Sequence, residues 1–173
     1  MDEPVRYYGK YRGTVINNVD PMQIGRVLVQ VPDVLGMAMS SWAMPCVPIA
    51  GKMMGTYVVP QVGAGVWVEF EQGDPDYPIW VGGFWGIVAE VPPLALAGVP
   101  ASPSIVLQSG LQNSVVISDL PGPAGGIMLK STTGMTFLIV NDTGIYLQSG
   151  PAAVTLTAAT GTVVVNQGAL LVK

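Results

Sequence analysis

The first half of this chain is organised around residues 66–86, VWVEFEQGDPDYPIWVGGFWG. Apolar residues alternate with bulkier or charged ones from Val66 to Glu71, which is the two-residue period of a strand buried on one face. The next residues, Gly73-Asp74-Pro75-Asp76, each favour a turn, and Pro78–Val81 indicates a returning strand. The stretch therefore predicts a β-hairpin with a rigid, acidic tip.

The preceding residues predict the rest of a small barrel. β-Prone or alternating segments occur at Tyr7–Val19, Gly25–Pro32 and Ser41–Pro48, and no segment has a helical period. With the hairpin they make five short strands, typical of a closed OB-type barrel, and an SH3-like barrel is the main alternative. The residues expected to form the barrel core and its motifs are Gly25, Val27, Val29, Val66, Val68, Phe70, Gly73, Asp74, Pro75 and Pro78.

The composition changes after the barrel. Residues 87–103 contain several prolines and follow neither period, so we expect a semi-extended linker between a barrel domain at 1–86 and a second domain at 104–173. The second domain is a series of short β-prone units that recur at roughly eight to ten residues and are separated by glycine. This pattern is typical of a β-helix or β-prism.

About 70 residues in such short strands could not protect all their edges within one chain. Three chains wound around one axis would pair each strand with a neighbouring chain and bury the apolar positions in an intertwined trimeric needle. A monomeric β-helix or a second sandwich is the alternative. The residues expected in the trimer core are Ile127, Leu129, Phe137, Ile139, Ile145, Leu147, Val154, Val163 and Val165.

The bulk composition restricts the function. Hydrophobic residues make up 50 % and charged residues only 10 % of the 173 residues, which favours an oligomer. No apolar run approaches the roughly 18 residues that span a bilayer. The net charge of −4 and seven Lys and Arg residues argue against nucleic-acid binding. The chain has no histidine, so we expect no His-based catalysis, metal site or cofactor.

Two features bear on localisation and redox chemistry. The start of the chain, MDEPVRYYGK, lacks the basic and apolar regions of a secretory signal, so we expect synthesis and assembly in the cytoplasm. The single cysteine, Cys46, cannot form a disulfide within the chain, and its Met, Pro and Val neighbours predict a buried thiol.

Five blocks carry a family resemblance: GRV at 25–27 with Val29 and Val31-Pro32, WAMP at 42–45, VPQVG at 59–63, VWVEF at 66–70 and EQGDPDYPIWVG at 71–82. In this order they resemble the central spike proteins of contractile injection machines, namely the baseplate assembly protein V family of contractile phages and the valine-glycine repeat protein G of type VI secretion. The resemblance covers roughly residues 8–86, and the second domain agrees with it in type.

The resemblance implies a structural, non-enzymatic homotrimer in the baseplate of a phage tail, tailocin, extracellular injection particle or type VI-like system. It implies barrels docked on a separate hub protein, for which Met37, Met39, Met53 and Met54 offer an adaptable surface. The needle would contact the target membrane mechanically, and effector cargo is a further candidate partner. A PAAR-type tip protein is expected on the C-terminal residues Leu170, Leu171, Val172 and Lys173.

The sequence departs from some family members. The linker has no room for the lysozyme domain that some carry, and without histidine the chain cannot use their His-x-His iron site. Two other functions were weighed. An OB protein could stack nucleic-acid bases on Trp67, Trp80, Phe84 and Trp85, but neighbouring carboxylates would repel phosphates. An enzyme acting on cell-wall polysaccharide would need two facing carboxylates, whereas the second domain offers only Asp119 and Asp142. Asp74 and Asp76 are better explained as turn formers.

Overall fold

The computed structural model describes residues 5–166 and 170–172. The chain divides into two compact units, with the boundary between Val88 and Ala89. β-Strands are the main regular secondary structure of both units, so the all-β class is confirmed. Among the described residues, no helix is long and apolar enough to cross a membrane.

The first unit is a five-stranded sheet curled into a half-barrel, with a small separate hairpin. Its strands are β1 (Tyr11–Asn17), β2 (Leu28–Gln30), β3 (Met44–Pro45), β4 (Ala50–Gly51), β5 (Met54–Gly55), β6 (Gly65–Phe70) and β7 (Pro78–Phe84). The sheet order is β2-β1-β6-β7-β3, while β4 and β5 pair with each other. Only the β3–β7 pair is parallel among the pairs of this sheet that the structure describes.

The predicted hairpin is confirmed as β6 and β7. Its tip is closed by backbone hydrogen bonds from Glu71 N to Tyr77 O at 2.9 Å and from Tyr77 N to Asp74 O at 3.0 Å. The register shifts after Trp67, which pairs with Gly82, whereas Val68 pairs with Trp80. This β-bulge increases the local twist of the sheet, as a curled half-barrel requires.

A single α-helical turn, α1 (Pro32–Leu35), follows β2, so the expectation of no helix was wrong at this point. Proline is favoured at the first helical position, because the N–H that it lacks has no partner there. The turn ends at Gly36, whose N–H donates to Pro32 O at 3.1 Å. Single 3-10 turns occur at Glu71–Gly73, Val88–Glu90, Pro93–Ala95 and Gly122–Ala124.

A cluster of valines forms the core of the first unit. Its largest fully buried members include Val15, Val27, Val29, Val31, Val66 and Val68. The side chain of Phe70 joins this cluster, and its ring packs against those of Tyr7 and Tyr11 at centroid distances of 6.2 and 5.7 Å. Because β-branched side chains fit a pleated, buried face, the alternating valines of β2 and β6 place the core on one side of the sheet.

The second unit is one eight-stranded antiparallel sheet in which each strand pairs with the next along the chain. Its strands are β8 (Ile105–Gln108), β9 (Ser114–Ser118), β10 (Gly126–Lys130), β11 (Thr136–Asn141), β12 (Gly144–Ser149), β13 (Ala152–Thr157), β14 (Thr162–Val165) and β15 (Leu170–Val172).

The strand pairing in this sheet is local. Consecutive strands of the same chain make the ladders. Short turns bring consecutive antiparallel strands together at a small entropic cost, so these ladders can close within the chain. A trimer of this unit must therefore use the faces or the outer edges of the sheet.

Candidate functional site

One face of the second unit carries two unbroken rows of aliphatic residues that cross seven strands. The cross-strand pairs place the first row at Ile105, Ile117, Ile127, Val140, Ile145, Leu156 and Val163. They place the second row at Leu107, Val115, Leu129, Leu138, Leu147, Val154 and Val165. We call these fourteen residues the aliphatic face. The backbone register continues into β15, where Val172 pairs with Val163 and Leu170 with Val165.

Much of the aliphatic face is open to solvent in the single chain. Leu107 is 68 % exposed, and Leu147 and Ile127 are 52 % and 50 % exposed. Six steps between strands of about 4.8 Å give each row a length of about 29 Å. An apolar strip of this length without a charged residue is the kind of surface that a soluble protein covers with a partner. The face is therefore an exposed apolar surface that could contact another copy of the chain.

The opposite face is mixed. Its central row contains Val106, Val116, Met128, Ile139, Tyr146, Thr155 and Val164. Beside this row lies a second one with polar members, Gln108, Ser114, Lys130, Phe137, Gln148 and Ala153. In the single chain this face is less exposed than the aliphatic face, and its members Ser114 and Val116 are buried. The two faces of the sheet thus differ in polarity along its length.

The register divides the predicted trimer-core residues between the two faces of the sheet. Seven of them lie on the aliphatic face, but Phe137 and Ile139 lie on the mixed face, and Leu138 and Val140 occupy the aliphatic face in β11. The physical reason is that β11 is apolar at all four positions from 137 to 140. When the residues on both faces of a strand are apolar, alternation does not show which face is buried. The sequence therefore did not determine which residues of β11 share a face with Leu147 and Ile145.

The turn between β11 and β12 fixes this register. The Oδ1 atom of Asn141 accepts hydrogen bonds from the backbone N–H of Thr143 at 2.9 Å and of Gly144 at 3.2 Å. The Oδ2 atom of Asp142 accepts from the backbone N–H of Gly122 at 3.3 Å. A slip of one residue would exchange the two faces of a strand, so these bonds help to keep the aliphatic face continuous.

The predicted tip-binding residues are only partly described. Leu170, Leu171 and Val172 form β15, the last strand in the sheet order, and Lys173 lies outside the described residues.

In the first unit, Asp20 organises the loop that contains Gly25, Arg26 and Val27. Its carboxylate accepts hydrogen bonds from the backbone N–H groups of Met22 at 2.9 Å, Ile24 at 3.0 Å and Arg26 at 3.2 Å. The Arg26 guanidinium donates to the same carboxylate and lies 5.3 Å from the centre of a Trp42 ring. The Arg26 hydrogen bond is the main reason that the pKa of Asp20 lies well below its usual range. Asp20 is not among the residues that the sequence patterns singled out.

The acidic tip of the hairpin has the properties of a turn rather than of a catalytic pair. Asp74 forms an ion pair with Arg6 at 2.8 Å, and its Oδ1 accepts the backbone N–H of Asp76 at 3.1 Å. Gly73 lies at a φ of +77°, and the ring of Pro78 is buried beneath the tip. Within residues 5–166 and 170–172, no group of three or more His, Cys, Asp or Glu residues could hold a metal ion.

The four aromatic residues considered for base stacking do not form one platform. Trp80 is buried in the core, where its Nε1 donates to Gly25 O at 3.0 Å, and Trp85 is exposed. Of these four, only Trp67 and Phe84 have rings in contact, with centroids 5.0 Å apart and planes tilted by 48°. The prediction for Cys46 was wrong, since its side chain is exposed directly after β3, the edge strand of the sheet.

Several methionines of the first unit are exposed, and two of them lie on the β4–β5 hairpin. Met53 is 98 % exposed at the tip of the β4–β5 hairpin, and Met37, Met39 and Met54 are also exposed. Beside this hairpin lies an apolar groove of about 560 Å³, whose lining includes Ile24, Met44, Ile49, Met54, Tyr57 and Val58. Flexible thioether side chains adapt to irregular partner surfaces.

A small β half-barrel and a sheet with an uncovered aliphatic face together define an oligomeric structural protein. Residues 11–85 match the family model of the type VI secretion system/phage-baseplate injector OB domain. Residues 104–171 match the phage baseplate V C-terminal trimerisation domain. The chain therefore belongs to the phage baseplate V family, and it is a structural, homotrimeric spike component of a phage or type VI-like baseplate. A search of curated proteins found no match.

Proposed function

We propose that this chain is the membrane-piercing spike at the centre of a contractile injection system, and that the aliphatic faces of three copies pack around one axis. The two unbroken aliphatic rows carry this proposal. They run across the strands, so three sheets facing inward would bury six parallel rows in one narrow column. The mixed faces, with Lys130 and Gln148, would then face outward.

This arrangement suits a mechanical role. The hydrogen bonds of each sheet would lie along the needle, and the aliphatic column would join the three sheets over about 29 Å. Burial of apolar surface contributes about 25 cal/mol per Å², so a fully covered face adds a large association energy at every strand. A needle held by many equivalent layers has few places to open locally when the sheath drives it forward. The proposal assigns no catalytic residue and no cofactor.

Two adjacent residues test the assignment of the trimer core. Leu138→Asp would place three carboxylates in the apolar column, where an unpaired charge is strongly unfavourable, so we expect loss of the trimer. Phe137→Asp changes the neighbouring residue on the mixed face and should leave a trimer. Light scattering of both purified variants decides the matter. A trimer for Leu138→Asp together with a monomer for Phe137→Asp would show that the mixed face lines the axis.

We further propose that the β4–β5 hairpin of the first unit, with its two exposed methionines, docks on a separate hub protein. High exposure of Met53 and Met54 beside an apolar groove supports this assignment. The variant Met53→Glu/Met54→Glu should still form trimers but should be absent from assembled particles, measured by blotting purified particles. Tyr8→Glu, at another exposed apolar position of the same unit, is the control and should be incorporated. Equal incorporation of both variants would exclude this docking surface.

The free edge of the last strand supports a third assignment, a PAAR-type tip protein at Leu170–Val172. In β15 the backbone groups of one edge have no strand partner within the described part of the chain, and an edge of this kind accepts an added strand or cap. Truncation before Leu170 should abolish capture of the tip protein from assembled particles while leaving trimers. Capture by the truncated chain would contradict the assignment. We also propose that residues 87–103 form a separate linker, between a first domain that ends at residue 86 and a second domain that begins at residue 104.

A further inference from the structure

Arg12 lies over two aromatic rings on the outer side of the first unit. Its guanidinium carbon is 5.3 Å from the centre of a Trp67 ring and 5.0 Å from that of Phe84. The Cα atoms of Arg12 and Trp67 are direct cross-strand partners, so the contact is built into the register of β1 and β6. The Phe84 ring packs closely against Gly65. A Cβ atom added at Gly65 would lie only 2.8 Å from the ring. We call Arg12, Trp67 and Phe84 the arginine platform.

The arginine platform differs from three of the four other cationic sites of this unit. Arg6, Lys10 and Arg26 each form an ion pair with a carboxylate of their own chain. Arg12 has no carboxylate partner among residues 5–166 and 170–172. A guanidinium on aromatic rings keeps its hydrogen-bond donors free for a planar, two-point contact with a carboxylate. Arginine and tryptophan are also the residues most enriched at the energetic centres of protein interfaces.

The same unit carries the complementary group. Glu71 and Asp76 are exposed on the tip of the β6–β7 hairpin, and within the described ranges neither forms an ion pair. Tyr77, 63 % exposed, lies beside them. The platform is near the opposite end of the same two strands, because Trp67 is near the start of β6 and Phe84 is at the end of β7. Four residues of strand separate Trp67 from Glu71, which is about 13 Å.

We propose that in the homotrimer the arginine platform of each copy binds the acidic hairpin tip of the next copy. The two patches lie at opposite ends of one hairpin, so they cannot meet within a chain, whereas a head-to-tail contact repeated three times closes a ring. The trimerisation domain holds the three first units at a high effective concentration, so a modest pairwise attraction suffices. The inference rests on the homotrimer, but it does not depend on which face of the second unit lines the axis.

The test uses the full-length chain with Arg12→Lys, which keeps the cation and supplies an amine for carbodiimide crosslinking to carboxylates. Isotope-labelled and unlabelled copies are mixed and reassembled, and the crosslinked peptides are identified by mass spectrometry. We expect a crosslink between residue 12 of one copy and Glu71 or Asp76 of another. Adding Glu71→Gln and Asp76→Asn should abolish this crosslink. Lys52, the other lysine of this unit that has no described ion-pair partner, is the internal control and should not react with the tip.

Three results would overturn the inference. The first is a trimer by light scattering in which residue 12 forms no crosslink to a tip of another copy. The second is a crosslink from residue 12 that appears only in assembled particles and leads to a different baseplate protein, since the platform would then serve the hub. The third is equal reaction of Lys52 and residue 12 with the tip, which would show random encounter. A monomeric chain would overturn both this inference and the assigned trimer, and is distinguished by its mass.

Discussion

Arg26 donates two hydrogen bonds to Oδ1 of Asp20, from Nε at 3.0 Å and from Nη2 at 2.6 Å. Asp20 is only 8 % exposed, and its carboxylate also receives three backbone N–H groups of the loop between them. A charge buried this way is tolerated because every acceptor position has a donor. The pair therefore fixes the loop that delivers Val27 into the core.

We predict that Asp20→Asn destabilises the first unit. The amide cannot accept all five hydrogen bonds and leaves the Arg26 charge without its partner, so the thermal midpoint falls. Arg26→Lys should be affected less than Asp20→Asn, because it keeps the charge and loses only the two-point geometry. Differential scanning calorimetry of both variants measures the order. A larger fall in the thermal midpoint for Arg26→Lys than for Asp20→Asn would show that Asp20 is not the residue that stabilises this loop most.

The same pair predicts a pH dependence. The folded pKa of Asp20 is lowered, so its contribution to stability is fully present above the unfolded pKa of about 3.9 and is lost as the pH falls below it. The difference in unfolding midpoint between the natural chain and Asp20→Asn should therefore be largest near neutral pH and should shrink below about pH 4. Urea unfolding from pH 7 to pH 2 checks this. A constant difference would show that the carboxylate charge does not stabilise the loop.

We predict that Trp80→Phe costs about 2 kcal/mol of unfolding free energy, since it removes the hydrogen bond to Gly25 O and leaves space in the core. Trp85→Phe is the matched control at an exposed site and should change stability by less than about 0.5 kcal/mol. Chemical denaturation followed by circular dichroism compares the two. Similar losses of unfolding free energy for both variants would show that the buried Trp80 side chain does not stabilise the core.

A glycine pair tests the register of the second unit. Gly144 has a φ of +155°, and an added Cβ would overlap the carbonyl oxygen of Leu156, so Gly144→Ala should cost about 3 kcal/mol or more. Gly150 has a φ of +57° but open space around it, so Gly150→Ala should cost only about 1 kcal/mol. Thermal unfolding of both variants gives the comparison. Equal costs would mean that β12 does not pair with β13 in this register.

Ile145→Asp should prevent stable trimers, because it places a carboxylate from each copy in the aliphatic column. Gln148→Asp, on the same strand but on the mixed face, is the control and should leave the mass of a trimer. Light scattering before and after heating in SDS reports both masses. A normal trimer from Ile145→Asp would refute the assignment of this face to the axis.

Local patterns were sufficient where one parity of a strand is apolar and the other is not. In β6, Val66, Val68 and Phe70 share one face, and the charged Glu69 lies on the other. Only the first face could be buried, so the hairpin and its buried face followed from the sequence. The glycines and β-prone units after residue 104 likewise predicted short strands. The blocks from Gly25 to Gly82 were specific enough to indicate the family, which the domain matches then showed.

Tertiary structure decided what alternation leaves open. The four apolar residues of β11 do not show by themselves which of them share a face. Pairing with Leu147 and Ile145 places Leu138 and Val140 on the aliphatic face, and Phe137 and Ile139 on the other. The partnership of Asp20 with Arg26 depends on a loop that closes on itself, which no local pattern encodes. The sequence by itself determined which residues are apolar and which favour turns, because these are properties of single residues and of short sequence periods. Which face those residues share depends on hydrogen-bond register between strands, and only the folded chain fixes that register.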